Sequence, residues 1–173
     1  MMIDHFRLLA GFNRWANGRI YDTAAALGAA DYFKTRACAY FGSIHGTLNH
    51  LLLVDRLWFG RLEGETPAIS RLDEILYDDF AALRAARETE DARIVALLQG
   101  MDEADLAADR RFTLIAEPGE RVMGVQLMLT TVFNHQTHHR GQVHAMLKEA
   151  GVAPPEIDVI LYPGSISGPS DNG

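Results

Sequence analysis

Residues Val125 to Ala150 read VQLMLTTVFNHQTHHRGQVHAMLKEA, an uninterrupted run without proline. Met128, Val132, His135, His139, Val143 and Met146 recur at spacings of three and four, which places them on one stripe of a helix turned toward a core. His135 and His139 lie inside that stripe, one turn apart, the spacing at which two imidazoles can grip one metal ion. A buried neutral imidazole needs partners for both ring nitrogens, and a divalent cation partners two rings at once. His138 rotates onto the neighbouring face with Asn134, and His144 falls off the stripe. Gly151 and then Pro154-Pro155 end the helix.

Working outward, three more long helices are expected. The first runs from Asp4, as N-cap, to about Leu27, with Phe6, Leu9, Ala10, Phe12, Ile20 and Ala24 at mostly helical intervals. Ser43 caps a second, SIHGTLNHLLLVDRLWFGRLEG, ending near Gly64. A third begins around SRLDEIL, capped by Ser70 or Asp73, and continues to Gly100. DYFKTRACAYFG reads as a long connection with one short helical turn. RRFTLI and RVMGV flank EPGE, a Pro-Gly turn between two β-prone pieces, which predicts a small hairpin. The fold class is therefore all-α, a four-helix bundle with long connections and a small β-hairpin before the last helix. IDVILY reads as a short extended piece. The domain is expected to span 1–163, followed by a flexible tail over 164–173 whose last eight or so residues are loose.

The chain has 173 residues, 48% of them apolar and 23% charged, which suits one soluble domain and offers no membrane span. A net charge of -7 without a Lys/Arg cluster argues against nucleic-acid binding. Cys38 is the only cysteine, which excludes an internal disulfide and argues against a thiolate-based metal cluster. Charges in MMIDHFRLLAGFNRW stand where a secretory signal needs an apolar stretch, and a cytoplasmic location is the expectation.

A third ligand should come from another helix, and the second helix offers His45 and His50. His50 is the better candidate. It shares a face with Thr47, Val54, Leu57 and Trp58 in mid-helix, whereas His45 lies within a turn of Ser43. Three nitrogen ligands suit a divalent ion, zinc, nickel, iron or manganese, and leave a position open, as catalytic sites do. The H-x-x-x-H spacing also occurs in H-E-x-x-H peptidases, where the glutamate is the general base. Gln136 stands there instead, and an amide takes no proton from water, which argues against that mechanism. Three ordinary imidazoles would release their ion below about pH 6.

Taken together, SIHGTLNHLLLVDRLWFGRL and FNHQTHHRGQVHAML, with FNRWANGRI near the start and IDVILY after the last helix, resemble the DinB family of four-helix-bundle metal-binding proteins. The resemblance spans nearly the whole chain and is most specific in NHLLLVDRLW and NHQTHHRGQ. It implies that His50, His135 and His139 form the metal triad, with zinc or nickel ahead of iron or manganese, and that the protein is a homodimer. Relatives in that family include mycothiol-dependent maleylpyruvate isomerases and bacillithiol transferases. The implied function is a metal-dependent enzyme acting on a small molecule, such as an S-transferase using a low-molecular-weight thiol. The alternatives are a metal-dependent hydrolase and a non-catalytic metal-binding stress-response protein.

Other residues carry two readings each. Asn13, Trp15 and Asn17 frame a pocket mouth or fill the core. Asp55 and Asn134 orient ligand histidines or sit on helix surfaces. Arg140 binds an anionic substrate group or makes a solvated salt bridge. Trp58 and Phe59 serve an interface or the core.

Overall fold

The computed structural model describes residues 1–165 apart from 38, 66, 67, 116 and 118. Cys38, Pro118 of the hairpin turn and the tail from 166 onward, with the expectations attached to them, lie outside the described residues. Helix α1 spans Met2–Ala24 and is capped by Met1; Asp4 sits inside the first turn, where it pairs with the N-terminal amine and Arg7, so it is not the N-cap. A short α2 covers Ala29–Tyr32, the helical turn expected in that connection. In α3, Ile44–Leu62, the Ser43 hydroxyl accepts from the Gly46 amide, as the sequence indicates.

The next helix, α4, covers Phe80–Gly100 and starts later than Ser70 or Asp73. The reason is local competition for backbone donors. The Glu74 carboxylate accepts from the Ser70 and Arg71 amides, and Asn49 Oδ1 accepts from those of Leu76 and Tyr77. Asp79 then caps α4 through the Ala82 amide. A short helix α5, Glu103–Leu106, follows, built on a reciprocal cap between Asp102 and Asp105 that the hydrophobic pattern does not reveal.

Strands β1, Asp109–Thr113, and β2, Glu120–Gly124, pair antiparallel from Asp109 opposite Gly124 to Thr113 opposite Glu120. Helix α6 spans Val125–Glu149 and ends at Gly151, whose φ of +82° favours glycine. IDVILY is not strand-like: Val159–Leu161 forms a 3₁₀ turn.

The four long helices form a square in which α1 and α3 each border both α4 and α6. Their directions follow from cross-helix pairs. Arg7 meets the Leu98 carbonyl and Asp22 meets Arg84, so α1 and α4 are antiparallel. Phe6 faces Phe133 and Asn13 faces Arg140, so α1 and α6 are parallel. Asp55 pairs with Arg87 and Glu63 with Arg93, so α3 and α4 are parallel too. Phe59 meets Phe133 while His50 meets His139, making α3 and α6 antiparallel. Parallel neighbours need a connection that returns along the bundle, and among the described residues 68–79 belong to it as a strap.

The core divides in two. One cluster gathers Ile3, Phe6, Phe59, Leu98, Met128 and Val132, and the other Ile20, Leu48, Leu52, Leu83, Val143 and Leu147. Between them lies a layer of buried polar side chains from all four long helices: Asn13 and Asn17, Asp55, Arg87 and Asp91, and Gln136 and Arg140. Phe59 is core, and half-buried Trp58 packs on Phe112 of the hairpin. No helix among the described residues is long and apolar enough to cross a membrane.

A candidate metal centre between α3 and α6

His135 and His139 project from α6 toward α3, where His50 meets them at the edge of the polar layer. One ring nitrogen of each lies within 4.8 Å of the other two, and no carboxylate or fourth imidazole joins the group among the described residues. The ring centroids are 4.3 to 5.0 Å apart. His50 Nε2 and His135 Nε2 face each other at 3.0 Å. Two nitrogens bound tetrahedrally at about 2.0–2.1 Å from one ion stand roughly 3.3 Å apart, so the rings need only a small adjustment to share a cation.

The second nitrogen of each ring determines what the first can do. His50 Nδ1–H donates to the Leu72 carbonyl at 2.7 Å, and His139 Nδ1–H donates to Gln142 Oε1 at 2.7 Å. Both bonds fix the tautomer that leaves a lone pair on Nε2. Gln142 in turn donates to His138 Nε2 at 3.1 Å, which orients its amide oxygen toward His139. His135 Nδ1 is buried without a partner among the described residues. The donor set therefore fits a divalent ion: three imidazoles converge, and two are locked with lone pairs inward.

Burial keeps these rings neutral. It pushes His50 down to about 4, against the opposing Leu72 hydrogen bond, and His135 down to about 3, helped by the imidazoles of His139, His50 and His138. His139 is also lowered, first by burial, with its bond to Gln142 opposing. Phe41, from the connection before α3, stacks on His50 at 3.6 Å between centroids and meets His139 edge-on at 5.5 Å, closing one side of the group.

The remaining candidates are placed elsewhere. His45 bonds Tyr32 and Asn49, and neither His138 nor His144 belongs to the cluster. Asp55 orients no histidine: it is fully buried against Arg87, and Asn134 is exposed. Burial pushes the Asp55 carboxyl up, with the Arg87 guanidinium opposing. Arg140 makes no solvated salt bridge. It is 3% exposed and donates to Asn13, Asn17 and Gln136. Asn13 and Asn17 also reach Asp91, so both belong to the polar layer, and Asn17 in addition lines a cavity between α1 and α4 with Arg14, Arg87 and Asp91. Trp15 packs against Phe12 and Tyr162.

Sequence reasoning missed Phe41, Leu72 and Gln142, and also Asn49. Gln142 was accessible, three residues after His139 on the same helix. Phe41 and Leu72 arrive from connections whose path no periodicity encodes.

The chain is 28% identical to Protein DinB of Bacillus subtilis (strain 168) over 176 aligned positions, covering 93% of this chain and 95% of that relative. The DinB family model matches residues 2–168. With a family match over nearly its full length, the chain belongs to the DinB family.

Proposed function

We propose that His50, His135 and His139 hold one divalent ion, zinc or nickel ahead of iron or manganese, and that the protein is a metal-dependent S-transferase. Its co-substrate is a low-molecular-weight thiol and its substrate a small electrophilic molecule. The observation that carries this reading is the convergence of three neutral imidazoles, two of them locked in the tautomer a metal requires. A bound ion would act as a Lewis acid that lowers the thiol pKa and holds the thiolate.

The chain's own residues hold the site in shape. Leu72 and Gln142 hold the rings in place, and Phe41 screens His50 from water. Gln136, where a peptidase base would stand, bonds instead to the Leu51 carbonyl and Arg140. No carboxylate among the described residues joins the cluster to activate water, which favours a nucleophile supplied by a co-substrate over hydrolysis. The assembly proposed is a homodimer, which sedimentation of the purified protein tests.

Protein prepared without chelator should carry about one divalent ion per chain, with nitrogen ligands at about 2.0–2.2 Å by X-ray absorption. Metal-loaded protein is then assayed with a panel of electrophiles and thiols. Turnover that requires one thiol and vanishes in His135→Ala supports the transferase. Turnover without thiol would identify a hydrolase, and a tightly bound ion with no turnover on any pair would mark a storage or sensing protein.

A further inference from the structure

A second polar feature lies away from the histidine cluster. Arg61, in the last turn of α3, is 5% exposed, yet no carboxylate pairs with it among the described residues. The other buried arginines differ. Arg36 pairs with Glu149, and Arg87 with Asp55 and Asp91, while Arg140 is held by three amide oxygens. Arg61 spends one N–H on the Thr113 carbonyl, at 2.6 Å, and its guanidinium abuts the rings of Trp58 and Phe112 at 5.0 and 4.6 Å. Most of its donors are left for another acceptor.

Arg61 lines a cavity of about 300 Å³ between the end of α3, the start of the strap and the hairpin. Leu57, Ile69, Phe112, Leu114 and Ile115 supply its apolar wall. Arg111 and Glu120 at the rim neutralise each other at 2.6 Å, and Glu65 lines the cavity without forming an ion pair to Arg61. Arg61 and Glu65 are thus the charges of the cavity without an ion pair among the described residues, and of the two only Arg61 is buried, Glu65 being exposed. A buried cation needs a counter-charge, and a guanidinium fork matches the two oxygens of a planar carboxylate.

We propose that this cavity is a binding site for a small carboxylate with an apolar chain, Arg61 taking the carboxylate and the Leu57, Ile69, Phe112 and Leu114 wall taking the chain. The volume is at the low end for small-molecule sites, which limits the ligand to a short chain. Burial lowers the pKa of Arg61, the direction expected of a cation still in need of an anion. The site is independent of the metal centre. His50 and Arg61 share a face of α3 but stand about 16 Å apart along its axis, beyond the reach of a short-chain acid bound at Arg61.

The test is calorimetric titration of the metal-loaded full chain with octanoate and, as the uncharged control, octan-1-ol. Octanoate should bind the wild type and the His135→Ala/His139→Ala variant alike. Octan-1-ol and the Arg61→Gln variant should each show binding weaker by at least about tenfold, since a charge-assisted hydrogen bond is lost in both. Leu114→Glu, at a position 36% exposed and so tolerant of charge, should also weaken octanoate by placing a negative charge on the apolar wall. It serves as the decisive variant if Arg61→Gln does not fold. Equal affinity for acid and alcohol overturns the proposal. So does undiminished binding to Arg61→Gln or Leu114→Glu, loss of binding in the histidine variant, or no octanoate binding at all.

Discussion

An imidazole coordinates a cation only through an unprotonated nitrogen, so burial of the three histidines changes the pH at which the proposed ion should be lost. With His135 lowered to about 3 and His50 to about 4, protons compete well below the pH 6 limit expected of ordinary histidines. Metal titrations should therefore show affinity persisting to lower pH than three ordinary histidines allow; a collapse between pH 7 and 6 would contradict the buried placement. The same shifts predict the behaviour of metal-free protein. Unfolded histidines take up protons near 6.5 while the folded ones stay neutral, so their contribution to stability is present above that value and is lost as pH falls toward about 4. Asp55, raised by burial, works in the opposite direction, so the comparison needed is between chelated wild type and His135→Gln. The wild type should lose melting temperature faster on acidification from pH 7 to 5. Much of this site was legible in the sequence, because two histidines four apart on an apolar stripe are a local signal. Asp55 misled because five residues of helix rotate it about 140° from His50, onto the face that meets Arg87.

The strap between α3 and α4 connects fold to site at the scale of one element. Parallel placement of those helices requires the connection to return along the bundle, and Asn49 pins the path of its second half. Its side chain accepts from the Leu76 and Tyr77 amides and donates to the Tyr77 carbonyl and to the His45 carbonyl. The strap so fixed presents the Leu72 carbonyl to His50. Asn49→Ala should leave the four long helices intact, increase amide exchange over 70–77, and weaken metal binding by roughly 10-fold or more, the usual scale for groups that orient a ligand. Undiminished affinity with increased exchange would show that the strap does not set His50. The hydrophobic pattern merged the end of this strap into a helix, since Leu72, Ile75 and Leu76 continue the apolar spacing of α4. What ends the helix there is the claim on backbone amides by Glu74 and Asn49, a competition that depends on a residue far away in sequence.

Across the whole molecule, the two apolar clusters do not meet directly: a polar layer contributed by every long helix separates them. Its charges balance, Arg87 and Arg140 against Asp55 and Asp91, and Arg87 bridges both carboxylates at 2.7 and 2.9 Å. A buried set of this kind adds little net stability but penalises any sliding of one helix past another, because a shift of one turn would leave a charge buried and alone. The candidate metal centre sits at the edge of the same layer, on the α3 and α6 side, where the register set by the layer brings His50 level with His135 and His139. On this reading the layer aligns the helices without help from a bound ion, a hypothesis that mutation can test because the two can be separated. His135→Ala/His139→Ala should remain helical and melt cooperatively, while losing metal binding and the thermal stabilisation that added metal gives the wild type. Arg87→Met should instead destabilise the protein by about 3–5 kcal/mol with or without metal, because Asp55 and Asp91 are left uncompensated. Chemical denaturation in the presence and absence of chelator measures both. If the histidine variant unfolds while Arg87→Met is tolerated, the ion holds the bundle and the polar layer is incidental.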